Sequence, residues 1–290
     1  MKKTLLLILL ISSIAYCQKN KPQIESIEEI SNYYSETETT SYKFENGKLV
    51  SKNVEKKLPT YFSYNQKGLL EKESNTYNDG DIQDVYYTYN DNGYLIGIIR
   101  TGKKNGASNF KPWGKTVITY NIKDANHYIV ESSSGNIDFS GNIDNSKYVQ
   151  KNTFEMKGNI LKKTTNEGSY KYIMQNGNMI NIEQESPSKF NHSVDYKFDN
   201  SESVNKIIAY NMFGDKYFIT SLVCQPPLFD FYTDFVNENN SIESKNAKIN
   251  EYLRDSENTS FIVYNEQKLP TEIKTENNHK QKKLIKIKYH

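Results

Sequence analysis

Most of the chain reads as short runs in which apolar or aromatic residues alternate with polar ones, each run ending at a turn that carries Asn or Gly. A period of two places one set of side chains on one face of a strand. The sharpest form is aromatic, any residue, aromatic, then Asn or Asp, two variable residues, Gly, any residue and an aliphatic residue. Phe62-Ser63-Tyr64-Asn65-Gln66-Lys67-Gly68-Leu69-Leu70 follows it, as does Tyr87-Thr88-Tyr89-Asn90-Asp91-Asn92-Gly93-Tyr94-Leu95. Phe154-Glu155-Met156-Lys157-Gly158-Asn159-Ile160 is close, and forms one residue shorter begin at Tyr42 and Tyr172. Degenerate copies centre on Tyr120-Asn121, Phe198-Asp199 and Tyr264-Asn265. Each copy predicts a β-hairpin. The paired aromatics bury together, Asn or Asp caps backbone groups in the turn, Gly supplies positive φ, and the aliphatic residue starts the returning strand.

A lone hairpin cannot bury its aromatic face, so the units must pair or stack. The expected fold is all-β: an antiparallel meander of repeated hairpins over residues 40–290, curled into an open sheet or half-barrel. A propeller is the alternative, disfavoured by the irregular spacing of the copies. Helical spacing is scarce. Ile24, Ile27 and Ile30 recur every three residues and predict a linker or short helix within residues 18–39. Ile207-Ile208-Ala209-Tyr210 and Tyr217-Phe218-Ile219 predict a strand pair. An irregular, partly helical insertion is expected over 224–258. In it Leu228, Phe231, Tyr232 and Phe235 share a helical face after Pro226-Pro227 and would cover an open sheet end. Two hexads, Gly135 to Ser140 and Gly141 to Ser146, predict a loop or bulged hairpin.

The N-terminus changes the compartment. Lys2-Lys3, an apolar run from Leu5 to Ala15 and polar residues from Gln18 onward form a signal peptide over 1–17. The run is too short for a bilayer span of roughly 20 residues, and no later stretch could span as a helix. The chain is therefore expected to be exported, either secreted or periplasmic and outer-membrane associated. Cleavage after Cys17 is favoured; acylation of Cys17, as in a lipoprotein, is the alternative, and Tyr16 before it fits poorly. The 290 residues hold 37 basic and 35 acidic groups, so without Lys2 and Lys3 the balance is 35 against 35. That neutrality excludes a general nucleic-acid binder and a polybasic membrane-surface protein. With only two cysteines, Cys17 and Cys224, an exported chain cut at residue 17 has no internal disulfide or cysteine-based metal site. Cys224 is expected at a buried strand position.

The Tyr-Asn-x-x-Gly-x-Leu units resemble YD repeats, those of Rhs-like bacterial surface and secreted proteins. Asn65 and Asn90 stand where that pattern has Asp, and Asp199 keeps the acid. The resemblance implies a repeat β architecture without catalytic residues. A weaker resemblance, to MORN-type repeats, rests on Asn46-Gly47-Lys48 and on Gly102 to Gly106.

Candidate chemistry is sparse. There is no His-Glu-x-x-His, nucleophile elbow or phosphate loop. The histidines 127, 192, 279 and 290 stand singly. Asn78-Asp79-Gly80-Asp81-Ile82-Gln83-Asp84 clusters three carboxylates, but not in EF-hand order, and predicts a solvated hairpin turn. Trp113, the single tryptophan, lies with Phe110 in Phe110-Lys111-Pro112-Trp113-Gly114. It either plugs the core between hairpins or stacks on a sugar ring. At the C-terminus, Ile285, Ile287 and Tyr289 alternate with Lys286 and Lys288, predicting a final edge strand with lysines outward. These features point to a non-enzymatic cell-envelope or secreted protein with an interaction or structural role. A carbohydrate-binding module is the alternative and an enzyme the third option. No cofactor or metal is expected, and the partner is an unidentified protein or glycan.

Overall fold

The structure is a computed structural model that describes residues 23–33, 36–138, 140–185, 192–224, 236–247 and 257–290. The leader and the Leu228–Phe235 cluster lie outside these residues. Eighteen strands account for most of the described residues. They are β1 (Ile24–Tyr33), β2 (Glu36–Glu45), β3 (Lys48–Val54), β4 (Thr60–Tyr64), β5 (Leu70–Thr76) and β6 (Ile82–Tyr89). Next come β7 (Leu95–Lys103), β8 (Lys111–Asp124), β9 (His127–Asn136), β10 (Gln150–Lys157), β11 (Ile160–Thr165) and β12 (Ser169–Gln175). The last six are β13 (Asn178–Glu185), β14 (His192–Glu202), β15 (Asn239–Ala247), β16 (Glu257–Tyr264), β17 (Pro270–Asn277) and β18 (Lys282–Tyr289). Every strand pairs antiparallel with its sequence neighbours, from β1–β2 through β17–β18.

The expected open sheet is corrected to a closed barrel. β1 also pairs with β18, Glu28 standing opposite Lys286 and Ile30 opposite Leu284. Closure removes both edges at once, so no row of unpaired N–H and C=O groups remains. The final strand is therefore not an edge, although Lys286 faces outward as expected. The expected helix near Ile24 is also corrected: those residues are β1. A register shift between Ile24 and Ser26 turns Ile24 and Ile27 inward together, which a three-residue spacing in a regular strand would not do.

Each motif copy is one even-numbered strand with its following turn. In an up-and-down barrel this puts all these turns at one end. Their geometry is local. Asn65 accepts at Oδ1 from the N–H groups of Lys67 and Leu69, both at 3.0 Å, and its carbonyl accepts from Gly68 at 2.8 Å. Gly68 takes φ +74°, which an L side chain resists. Asn90 and Gly93 repeat the arrangement, and Asn265 does so with Lys268 at φ 61° in the glycine position. The hexads form a loop between β9 and β10 in which Ile137 bridges Ile143.

The connection from β14 to β15 departs from this pattern. The expected strand pair is corrected to helices α1 (Val204–Phe213) and α2 (Tyr217–Val223), joined by a 3-10 turn, Gly214–Lys216. Ser203 caps α1 by accepting from the Lys206 N–H at 3.4 Å, and Gly214, at φ +63°, ends it. Val204, Ile207, Ile208 and Met212 form a helical stripe, and the α1 stripe packs into the barrel against β1 to β4 and β18. Leu222, Phe218 and Ile219 of α2 meet the wall formed by β7 to β14. The expected insertion thus contains a barrel strand, β15, while the helices precede it. Cys224 caps α2 rather than sitting in a strand. Charged ties hold the helices in place. Lys206 Nζ bonds Glu238 at 2.5 Å and Glu202 at 3.1 Å, and the Tyr217 hydroxyl donates to Glu238 at 2.6 Å. Lys48 Nζ donates to the carbonyls of Asn211 and Gly68.

Candidate functional site

The inner face of the barrel changes character along its length. At the end carrying the motif turns and helices, inward residues are apolar. Toward the far end they become polar. Along β9 the inward series is Tyr128, Val130, Ser132, Ser134; along β16 it is Tyr264, Ile262, Ser260, Asn258, both read toward the far end. On β18 it ends at Lys283, and on β1 at Glu29 and Ser31.

These far-end groups are organised as lateral rows between neighbouring strands. Thr116 Oγ1 and Ser134 Oγ lie 2.9 Å apart, Asn258 Nδ2 donates to Ser244 Oγ at 2.9 Å, and Ser260 and Thr275 hydroxyls are 2.9 Å apart. Asn152 Nδ2 reaches Ser132 Oγ at 3.4 Å, while the buried Asn152 Oδ1 meets no hydrogen-bond donor among the described residues. At the β18–β1 seam Glu29 is the hub. It pairs with Lys283 Nζ at 3.1 Å and accepts from Ser31 Oγ at 3.3 Å and the Tyr42 hydroxyl at 3.2 Å. Both charged side chains are about nine-tenths buried, with exposures of 8% and 10%. Burial, together with the adjacent Glu29 charge, pushes the Tyr42 hydroxyl far above the ordinary tyrosine range.

The opposite wall is cationic. Arg100 on β7 points inward, its Nη1 donating to Thr116 Oγ1 at 3.2 Å. Among the described residues no carboxylate lies within 4.0 Å of its guanidinium. Lys163 on β11 sits over the rings of Phe154 and Tyr170, 5.7 and 5.5 Å from their centroids. No Asp or Glu among the described residues faces inward from β7 to β12. Glu73, on β5, is engaged by the Tyr87 hydroxyl at 3.2 Å and Asn75 Nδ2 at 3.1 Å. Near the helix end of this wall, desolvation pushes the Cys224 thiol up to about 12, with the Glu73 charge adding to it.

Trp113 stands at the far rim of this wall. A register shift in the β7–β8 pairing opposite Arg100 and Thr101 makes Trp113 an extra residue on β8. Its indole lies over Gly102, where an added Cβ would meet Cδ1 at 3.6 Å. The next residue, Gly114, lies against the Arg100 side chain, again at 3.6 Å. Trp113 is 45% exposed, so it is a rim residue and not a core plug. Phe110, in the β7–β8 connection, is 40% exposed and meets Lys103 at 5.8 Å. The structure thus brings Trp113 close to Arg100, a residue that the sequence reading passed over. The signal was available: Arg100 follows Leu95 and Ile98 on the inward face of β7.

The acidic loop takes no site geometry. Asp79 and Asp81 accept from turn and neighbouring-loop groups, including Lys104, and Asp84 lies on the outer wall. Burial alone would raise the Asp84 carboxyl, but hydrogen bonds from Lys72 and Ser74 outweigh it and hold it below the usual range. Among the described residues no group of three or more His, Cys, Asp or Glu could hold a metal ion.

No family model matches the chain, and no curated protein matches it. Among solved structures, a porin-like protein from Bacteroides uniformis ATCC 8492 is similar over 92% of this chain and 98% of that one, at 12% identity and a TM-score of 0.44.

Proposed function

We propose that the chain is an exported, water-facing β-barrel with a non-enzymatic interaction or structural role in the cell envelope. The observation that carries this reading is the sorting of side chains across the barrel wall. The outer face bears ion pairs between directly opposed residues of adjacent strands. These are Lys286–Glu28 at 3.4 Å, Lys197–Glu243 at 2.8 Å, Lys171–Glu183 at 2.9 Å, Lys282–Glu276 at 3.4 Å and Lys245–Glu257 at 3.7 Å. Lys286 and Glu28 are 50% and 48% exposed. Such pairs add little stability in water, about 0–1 kcal/mol each. A lysine on a lipid-facing wall costs about 2–4 kcal/mol at mid-bilayer, and a barrel in lipid carries an apolar outer band roughly 25 Å tall. These pairs, spread over β12 to β18 and β1, therefore favour water outside. Barrels of 16 to 18 strands generally leave an aqueous channel. Here α1 and α2 occupy the interior, with Phe213 and Ile208 fully buried, which disfavours a pore.

We read the eight motif copies as YD-like repeat units, supported by the Asn side-chain bonds in the turns at Asn65, Asn90 and Asn265. The signal at 1–17 supplies the export reading. The test is fractionation of the full chain expressed with its own leader, beside Cys17→Ser. The folded Cys17→Ser protein is expected in the detergent-free fraction. A folded barrel that needs detergent even with Cys17→Ser would sink the reading. Retention of the wild type alone would identify Cys17 as a lipid anchor on a water-facing barrel.

A further inference from the structure

We infer that the cationic inner wall at the far end, centred on Arg100, binds a carbohydrate bearing carboxylate groups. The inference deepens the interaction role proposed above by naming the class of partner, and it rests on that role.

The argument starts from Arg100. A guanidinium is charged at any physiological pH and offers five N–H donors in a planar fork that matches a carboxylate. Turned into a barrel, it is normally met by a carboxylate of its own chain, as Lys283 is by Glu29. Among the described residues Arg100 instead bonds one neutral partner, Thr116, and it remains partly exposed. Among the described residues no Asp or Glu of β7 to β12 faces inward, and Glu73 of β5 is engaged by Tyr87 and Asn75. The surrounding groups are hydroxyls and amides: Thr116, Ser134, Ser132 and Asn152. These suit a ligand rich in neutral hydroxyls. Trp113 completes the set with a half-exposed aromatic face beside Arg100. Gly102 and Gly114 clear the floor for the indole and the arginine stem. Charge, hydroxyl partners and a flat apolar face on one wall are the pattern of a site for an acidic sugar.

Trp113 is the single tryptophan, so its emission reports this wall directly. The experiment titrates the full-length protein with oligogalacturonate. Neutral galacto-oligosaccharide of equal length and succinate serve as comparison ligands, and calorimetry runs in parallel. A saturable change in Trp113 emission with oligogalacturonate is expected, weaker at high salt, with little response to either comparison ligand. Arg100→Gln is expected to weaken binding about tenfold or more, as loss of hydrogen bonds to a charged group does. Arg100→Lys keeps the charge without the fork and is expected to fall between; it carries the test if circular dichroism shows Arg100→Gln misfolded. Wild-type affinity in the folded variant, absence of saturable binding by both methods, or equal binding of succinate would each overturn the inference. Because fractionation reads only the outer wall, failure here leaves the water-facing barrel standing, and failure there is recognised independently.

Discussion

The two halves of the barrel interior are built from the same eighteen strands but solve different problems. At the motif-turn end, aromatic pairs from the even strands meet α1 and α2 in two apolar clusters. There the hydrophobic effect acts on fully buried side chains, each contributing roughly 1.5–3 kcal/mol. At the far end the same strands turn serine, threonine, asparagine, Glu29, Lys283 and Arg100 inward. Such rows are close to neutral for stability when satisfied and costly when broken. The contrast shows that one half is held by burial of apolar side chains, while the other is held by hydrogen-bonded rows and a buried ion pair.

The largest effect should come from the apolar half. Phe213 is fully buried where α1 meets the wall. Phe213→Ala should cost about 3–5 kcal/mol in urea unfolding. A loss below about 1 kcal/mol would mean that α1 does not support the core.

Glu29 tests the polar half. Glu29→Gln removes the carboxylate paired with the buried Lys283 and should cost about 3 kcal/mol or more. Replacing both residues by Met should be nearly neutral or stabilising, if the pair serves specificity of the seam and not its strength. A double variant as unstable as the single one would contradict that division.

A smaller change concerns the turns. Lys268 occupies a left-handed position where four other even-strand turns place Gly47, Gly68, Gly93 and Gly177. Lys268→Gly should raise stability by up to about 1 kcal/mol by relieving that backbone cost. A melting temperature that falls would mean the lysine makes a contact worth more than the strain.

The smallest effect is a pH dependence. The Asp84 carboxyl is held below its unfolded value, near 3.9 for a free aspartate. Its contribution is therefore complete above about pH 4 and is lost as pH falls through the folded value. Asp84→Asn should lower stability at neutral pH and flatten the acid limb of the stability curve. Parallel acid limbs in the variant and wild type would remove Asp84 from the account.

Much of this architecture was legible locally. The hairpin unit could be read because its parts lie within ten residues: two aromatics on one strand face, an Asn that bonds its own turn, and a Gly with positive φ. The errors arose where pattern and context competed. Ile207-Ile208-Ala209-Tyr210 reads as a strand by composition, yet Ser203 and Gly214 bracket a helix, and the capping residues decide. Ile24, Ile27 and Ile30 read as a helix, yet a bulge in β1 turns only Ile24 and Ile27 inward, and Ile30 alternates with the inward Glu29 and Ser31.

By itself, the sequence determined the strand-rich character, the turns of the clearest motif copies and the absence of familiar catalytic motifs, since these depend on neighbours a few bonds apart. Only the tertiary structure decided that β1 meets β18, that α1 and α2 enter the barrel, and that Arg100, Thr116 and Trp113 share one wall. Those outcomes join residues up to the full length of the chain apart. They are set by edge hydrogen bonds that must be satisfied and by a lumen that must be filled, and no local pattern records either demand.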